Sequence, residues 1–177
     1  MRNNKGFTLI ELIAAITILS IIMLIAIPNV ISVSIKNKNR TYINDANKLV
    51  ILAKYKFESD ANIIKPTNNT CLVLKLNDLD KTELQKGPDN GSYVSNNTYV
   101  IVKYASEKYV YYVQTQEKVK NDEYNGVKLT EYSNILGTQD KGSLIQKTSS
   151  QNDNKWKKAS TTGCANYRDA YGAVTTP

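Results

Sequence analysis

The sequence predicts an α+β fold: one long N-terminal α-helix over about residues 7–60, with an antiparallel β-meander packed on its C-terminal half. Three observations carry that expectation. They are an apolar run near the N-terminus, a helix-spaced apolar stripe that continues from it, and a later pair of segments dense in Val, Ile and Tyr. A helix with one apolar stripe and a half-buried sheet each need a partner to cover them, so the two are expected to pack into one layered head. The chain has 177 residues. With a membrane-length segment set aside, that leaves room for one compact domain.

The helix starts in the apolar run. Residues 7–27 are apolar apart from Thr8, Glu11, Thr17 and Ser20, and at about 1.5 Å per residue such a run spans roughly the 30 Å hydrocarbon core of a bilayer. Apolar character persists through Val30, Ile31, Val33 and Ile35, which is long for the apolar region of a secretory signal. The small-x-small triplet Ser32-Val33-Ser34 keeps simple secretion as the alternative. Arg2 and Lys5 precede the run while Lys36, Lys38 and Arg40 follow it, so basic residues alone do not orient it.

Three details fit neither a plain anchor nor a plain signal. A short basic leader, residues 1–6, ends in Gly6 directly against the apolar run, and glycine offers a protease an unhindered backbone. Glu11 places a carboxyl group inside the run; a charge costs about 2.5–3.5 kcal/mol at a helix centre and less near the edge, so it needs a partner. Pro28 has no N–H and leaves the carbonyl of Leu24 without its helical donor.

Lys5-Gly6-Phe7-Thr8-Leu9-Ile10-Glu11-Leu12 resembles the processing and methylation motif of type IV prepilins, in residue types and in distance from the first Met, and Pro28 also matches that family's pattern. The resemblance implies a leader (1–6), a transmembrane and filament-core helix (7–35) and a globular head (36–177). It implies cleavage between Gly6 and Phe7 by a prepilin peptidase that also N-methylates Phe7, and assembly roles for Glu11 and Pro28. The expected partners are other pilin subunits, the peptidase/methyltransferase, the pilus assembly platform and the inner or cytoplasmic membrane, with DNA or a host surface beyond them. The precursor would sit in the cytoplasmic membrane, leader inside and head outside, and end in a surface pilus serving adhesion, motility or DNA uptake. The alternatives are a pseudopilin of a type II secretion or competence system, or a minor pilin with a binding role.

From Tyr42 the apolar positions are Tyr42, Ile43, Ala46, Leu49, Val50, Ala53 and Phe57, the spacing of one helix face. Asn44, Asp45, Asn47, Lys48 and Lys54 are assigned to the opposite face. Residues 62–70 read as a loop, 71–76 as a short strand, and 77–84 as a short helix capped by Asn77 or Asp78. Gly87-Pro88-Asp89-Asn90-Gly91 reads as a turn. Residues 99–104 and 109–115 form the expected hairpin, with 92–94 as a third strand and 127–130, after an Asn125-Gly126 turn signal, as a fourth. Most of 131–177 is polar and expected to be loop.

The formal charge is +7 with no histidine, which removes the usual base near neutral pH and the commonest transition-metal ligand. An enzyme is therefore disfavoured; no catalytic residue, metal or cofactor is assigned. Cys71 and Cys164 are the only cysteines. In an extracytoplasmic domain two cysteines favour a disulfide over two thiols, and the pilin resemblance implies one that ties down the C-terminal region. The tyrosines at 99, 104, 109, 111 and 112 are expected to pack across the hairpin, with base or sugar stacking as the alternative. Lys155-Trp156-Lys157-Lys158 is the local candidate for a nucleic-acid contact. Asp78 with Asp80, or Asp89 with Asn90, supply oxygen atoms of the kind calcium takes, without an EF-hand loop.

Overall fold

The computed structural model describes residues 6–80, 82, 84, 86–137, 142–153, 156 and 162–177. The chain divides into two units, Met1–Asn37 and Lys38–Pro177. Helix α1, Leu9–Ser59, supplies all the regular structure of the first. Every apolar side chain among the described residues of that unit is exposed, and among the described residues α1 is the one helix long and apolar enough to cross a membrane. Three of its polar side chains bond to its own backbone: Thr17 Oγ1 donates to Ala14 O at 2.8 Å, Ser20 Oγ to Ile16 O at 2.7 Å and Asn29 Nδ2 to Ile25 O at 3.1 Å. Such internal pairing is what a helix in lipid requires of its polar groups.

In the second unit α1 buries Tyr42, Ile43, Ala46, Leu49, Val50, Ala53 and Phe57, the stripe read from the spacing. Its cover is a five-stranded sheet made of β1 (Thr70–Lys75), β3 (Tyr99–Ala105), β4 (Lys108–Gln114), β7 (Thr130–Glu131) and β9 (Asn166–Arg168), in the order β7-β4-β3-β1-β9. The β3–β4 hairpin pairs Ile101 with Tyr112 and Val102 with Tyr111, and closes through Ser106 and Glu107, both with positive φ. That is the two-residue turn whose twist suits a hairpin. Alternation sends Leu72, Leu74, Val100, Val102 and Val113 into the core against α1. The opposite face carries a second cluster, Cys71, Val73, Tyr99, Ile101, Tyr112 and Leu129. The sheet is thus apolar on both sides, and Cys164 and Tyr167 pack on the outer one.

The expected meander is only part of the head. A second sheet, β2-β5-β6-β8, joins β2 (Ser92–Tyr93), β5 (Glu117–Lys118), β6 (Tyr124–Val127) and β8 (Ile145–Thr148). The strand expected at 92–94 therefore pairs with β5, outside the hairpin's sheet. Asn125-Gly126, read as a turn, lies inside β6, where a Cβ on Gly126 would come within 2.1 Å of Thr115 O. Glycine is there for close backbone approach. β8 and β9 form in the stretch expected to be mostly loop, and β9 runs parallel to β1. Of the helix expected at 77–84, a 3-10 turn at Leu76–Asp78 is present, ending at an extended Leu79. Its N-cap is Lys75, whose N–H donates to Asp78 Oδ2 at 2.8 Å. Lys81, Glu83 and Gln85 fall outside the described residues.

Candidate functional site

The N-terminal segment is built around Thr8. Leu12 N donates to Thr8 O, and Glu11 N lies 3.4 Å from Thr8 Oγ1, while Thr8 N and Thr8 Oγ1 donate to Glu11 Oε2 at 2.9 and 2.8 Å. This is a reciprocal capping box, which satisfies donors left free at a helix start and favours an acidic group there. The partner that Glu11 required is therefore three residues away. The Thr-x-x-Glu spacing is the signal that would have found it. Gly6 and Phe7 precede the helix and are exposed, and a Cβ built on Gly6 meets nothing within 4 Å. The fold itself makes no demand for glycine there. Pro28 lies inside α1, next to the Asn29 side chain that donates to Ile25 O.

In the head, α1 presents a polar seam that the periodicity did not reveal. Asp45, assigned to the solvent face, is buried and accepts from Tyr93 Oη at 2.6 Å. The Tyr42 hydroxyl lies 2.7 Å from Asp89 Oδ2 and 2.5 Å from Glu117 Oε2, so one phenol proton serves two carboxylates. Glu117 is fully buried, and the turn 87–91 wraps it: Gly91 N donates to Oε1 at 2.5 Å, and a Cβ at Gly87 would strike the carboxyl group. Lys38 Nζ and Asn125 Nδ2 donate to Asp89 at 2.6 and 2.7 Å. Burial pushes the Asp89 carboxyl up, but the bonds from Lys38, Tyr42 and Asn125 outweigh it and hold it below the usual range. Burial likewise raises Asp45, against the Tyr93 bond and Lys48, and raises the Tyr42 and Tyr93 phenols, whose carboxylate neighbours push the same way. These contacts join the smaller sheet to α1 by hydrogen bonds in addition to the apolar packing of Tyr93 and Val127 in the shared core.

Other residues assigned to the polar face are engaged as well. Lys54 Nζ lies 5.0 Å from the Tyr111 ring and 4.7 Å from the Tyr132 ring, and Tyr132 Oη donates to Asn47 Oδ1 at 2.7 Å. Both cross from the helix to the sheet edge, which the one-dimensional pattern could not register.

Cys71 and Cys164 form a disulfide with a Cα–Cα distance of 6.0 Å, closing a sequence separation of 93. It lies beside the β1–β9 pairing and fastens the C-terminal stretch to the outer face of the sheet. Trp156 is buried and its Nε1 donates to Thr148 Oγ1 at 2.8 Å, so its ring is core and not a stacking platform. Lys155, Lys157 and Lys158 fall outside the described residues. Asp80 accepts from Thr82, Asp78 from Lys75, and Asp89 is spent on the seam. Among the described residues no group of three or more His, Cys, Asp or Glu is placed to hold a metal ion. The hairpin tyrosines are taken up by packing: Tyr104 and Tyr109 lie 5.2 Å apart by ring centroid and Phe57 and Tyr109 4.9 Å, Tyr99 and Tyr112 belong to the outer cluster, and Tyr111 lies under Lys54.

Residues 1–27 match the family model described as the prokaryotic N-terminal methylation motif. Over 126 residues, 67% of this chain and 86% of the relative, the sequence is 32% identical to the type IV wide pilus major component PilA4 of Thermus thermophilus. No solved structure matches the chain.

Proposed function

The chain belongs to the type IV pilin family, and on that footing we propose that it is the major structural subunit of a surface pilus, cut between Gly6 and Phe7 and polymerised through the apolar half of α1. The observation that carries the reading is the first unit itself. A processing motif opens onto the N-terminal part of α1, residues 9–37, whose apolar side chains are all exposed, a surface that water does not tolerate and that a membrane, then a bundle of like helices, would cover. The similarity to a relative named as a major pilus component supports the abundant role over a minor or pseudopilin one.

Glu11 has two successive partners in this account. In the precursor its carboxylate is satisfied by Thr8. After cleavage Phe7 gains an amine one helical turn away, and at 4 Å with an effective dielectric near 20 an amine and a carboxylate attract by about 4 kcal/mol. Pairing with the amine of a neighbouring subunit sets the axial register of otherwise featureless apolar helices.

Sheared filaments test the proposal. This chain should dominate them and begin at methylated Phe7 by mass spectrometry. Gly6→Leu should leave full-length precursor in the membrane, and Glu11→Ala should give processed subunits that enter filaments poorly. Filaments in which the chain is a trace component, or that incorporate Glu11→Ala normally, would remove the major-subunit or register claim respectively.

A further inference from the structure

The chain holds the dipeptides Asn90-Gly91 and Asn125-Gly126, and the fold sets both on the polar seam in opposite surroundings. Asparagine is a thermolabile residue, and most so before glycine: the next backbone nitrogen can attack the side-chain amide carbon, and glycine has no Cβ to hinder it.

Asn90 is exposed and lines an open hollow with Ser92, Lys118 and Lys120, so water reaches it. It ends a three-residue loop: Asn90 N donates to Gly87 O at 3.0 Å, Gly87 N donates to Gly91 O at 3.1 Å, and Asn90 has a φ of 62°. Asparagine tolerates that left-handed position. Glycine must follow, because a Cβ on Gly91 would meet Lys118 O at 2.1 Å. The loop thus selects the labile pair.

The same loop keeps the pair from reacting. The left-handed region has ψ of about +30 to +60°, which stands the next nitrogen nearly opposite Cβ about the Cα–C bond, whereas ring closure needs the two eclipsed. Gly91 N is also held by the buried Glu117, donating to Oε1 at 2.5 Å. Attack therefore requires about half a turn of rotation at Asn90 and loss of the Glu117 bond. Only the loop has to open for this. Asn125 is 5% exposed, donates from Nδ2 to Asp89 at 2.7 Å, and lies in a strand paired on both sides, with Glu117 and Lys147. Its release requires opening of the sheet, a larger and rarer event than the opening of one loop.

We propose that Asn90 is a self-modifying site that the seam holds shut. When the loop swings off Glu117, Gly91 N attacks Asn90 Cγ and gives up its proton. The Cγ–Nδ2 bond breaks, Nδ2 leaves as ammonia with that proton, and a five-membered imide remains. Water then opens the ring at either carbonyl, leaving aspartate or isoaspartate. Either product adds a carboxylate next to Asp89, and isoaspartate also lengthens the main chain by one carbon, which displaces Gly91 N from Glu117. With ammonia lost the change is one-way, and it marks a subunit whose loop has opened.

The test follows amide loss at both sites by peptide mapping and mass spectrometry, with isoaspartate identified by an isoaspartyl methyltransferase. The full chain is kept in detergent at mildly alkaline pH, and peptides spanning residues 86–94 and 121–130 serve as unfolded references. In the folded chain Asn90 should convert at least about ten-fold more slowly than in its peptide, yet at least about ten-fold faster than Asn125, while the two peptides convert at similar rates. Tyr42→Phe leaves Asp89 of the loop facing Glu117 without the shared proton, and should speed Asn90 by about ten-fold while Asn125 changes less. Should Tyr42→Phe not fold, Lys38→Met, which removes the cation on Asp89, takes its place. Folded-chain conversion of Asn90 as fast as in the peptide would show that the loop guards nothing. Equal rates at the two sites would show that only global unfolding exposes them, and an Asn90 rate that ignores the seam variant would cut its link to Glu117; each result overturns the proposal.

Discussion

Tyr42→Phe isolates the polar seam, because it deletes a single oxygen and leaves the ring in the core. That oxygen lies 2.7 Å from Asp89 and 2.5 Å from Glu117, so the two carboxylate oxygens can be no more than 5.2 Å apart. Without the phenol proton, two unit charges at that distance repel by about 3 kcal/mol at an effective dielectric near 20, and the Lys38 ion pair on Asp89 offsets part of this. The two contacts share one proton, so together they are worth about one hydrogen bond to a charged acceptor, about 1.5–3 kcal/mol, and Glu117 keeps Gly91 N as a donor. A net loss of about 2–4 kcal/mol is expected. For a head of this size that corresponds to a fall in Tm of about 10 °C. Urea unfolding of the head from Lys38 onward, at neutral pH, reads the loss directly. Adding Glu117→Gln removes one charge while keeping an amide oxygen for Gly91 N, so the double variant should recover a large part of it. A loss under about 1 kcal/mol, or a double variant that is simply the sum of two losses, would refute the shared-proton account of the seam.

Asp45→Asn tests the buried carboxylate through pH. Burial raises Asp45 in the folded head, so the native state holds a proton more tightly than the unfolded chain, and the head gains stability as pH falls through that raised value. The asparagine variant lacks this gain, so its stability relative to the parent should be most favourable at pH 7 and decline towards pH 4; an unchanged difference across that range would contradict the assignment. Asp89 works in the opposite sense, its contribution being lost only as pH drops through its lowered value. Replacing both Cys71 and Cys164 with Ser should cost about 2–4 kcal/mol, near the chain-entropy ceiling of about 4.7 for a loop of this length. Limited proteolysis should then release the C-terminal stretch first. Gly126→Ala forces a Cβ to within 2.1 Å of Thr115 O, a backbone atom that no rotamer change can move. A loss of about 3 kcal/mol or more is expected, and a thermal melt within about 2 °C of the parent, on the order of 0.5 kcal/mol, would show that the strand yields.

The parts of the fold that could be read from the sequence are those held by apolar periodicity. The stripe from Tyr42 to Phe57 repeats at helix spacing because one face of α1 meets one face of a sheet, and the hairpin alternates because its two faces meet two clusters. The cysteines were legible for a different reason: two of them leave one pairing. The second sheet had no such signature. β2 and β5 have two residues each, too short for a period to show, and the polar side chains beside them make the connections. Thr98 Oγ1 accepts from Gln116 N, Asn97 Nδ2 donates to Gln116 Oε1, and Val127 N donates to Thr115 Oγ1. Buried Thr, Asn and Gln look like loop residues until their partners are known.

The same logic explains why Asp45 and Glu117 were missed while Glu11 was found. A carboxylate in an uninterrupted apolar run has a visible cost, and so it draws attention from the sequence alone. Asp45 sits among polar neighbours, where a charge looks free, and its cost appears only when Tyr93 arrives from 48 residues away. Glu117 is joined to α1 across 75 residues through Tyr42. Long-range closure of this kind places the polar seam among the interactions that form only as the head closes, since loop entropy must be overcome before its hydrogen bonds contribute. The chain thus carries two kinds of acid that need a partner. One, Glu11, lies in an exposed apolar segment and is satisfied locally by Thr8. The others are bonded across distant elements of the head, and their partners are correspondingly remote in sequence.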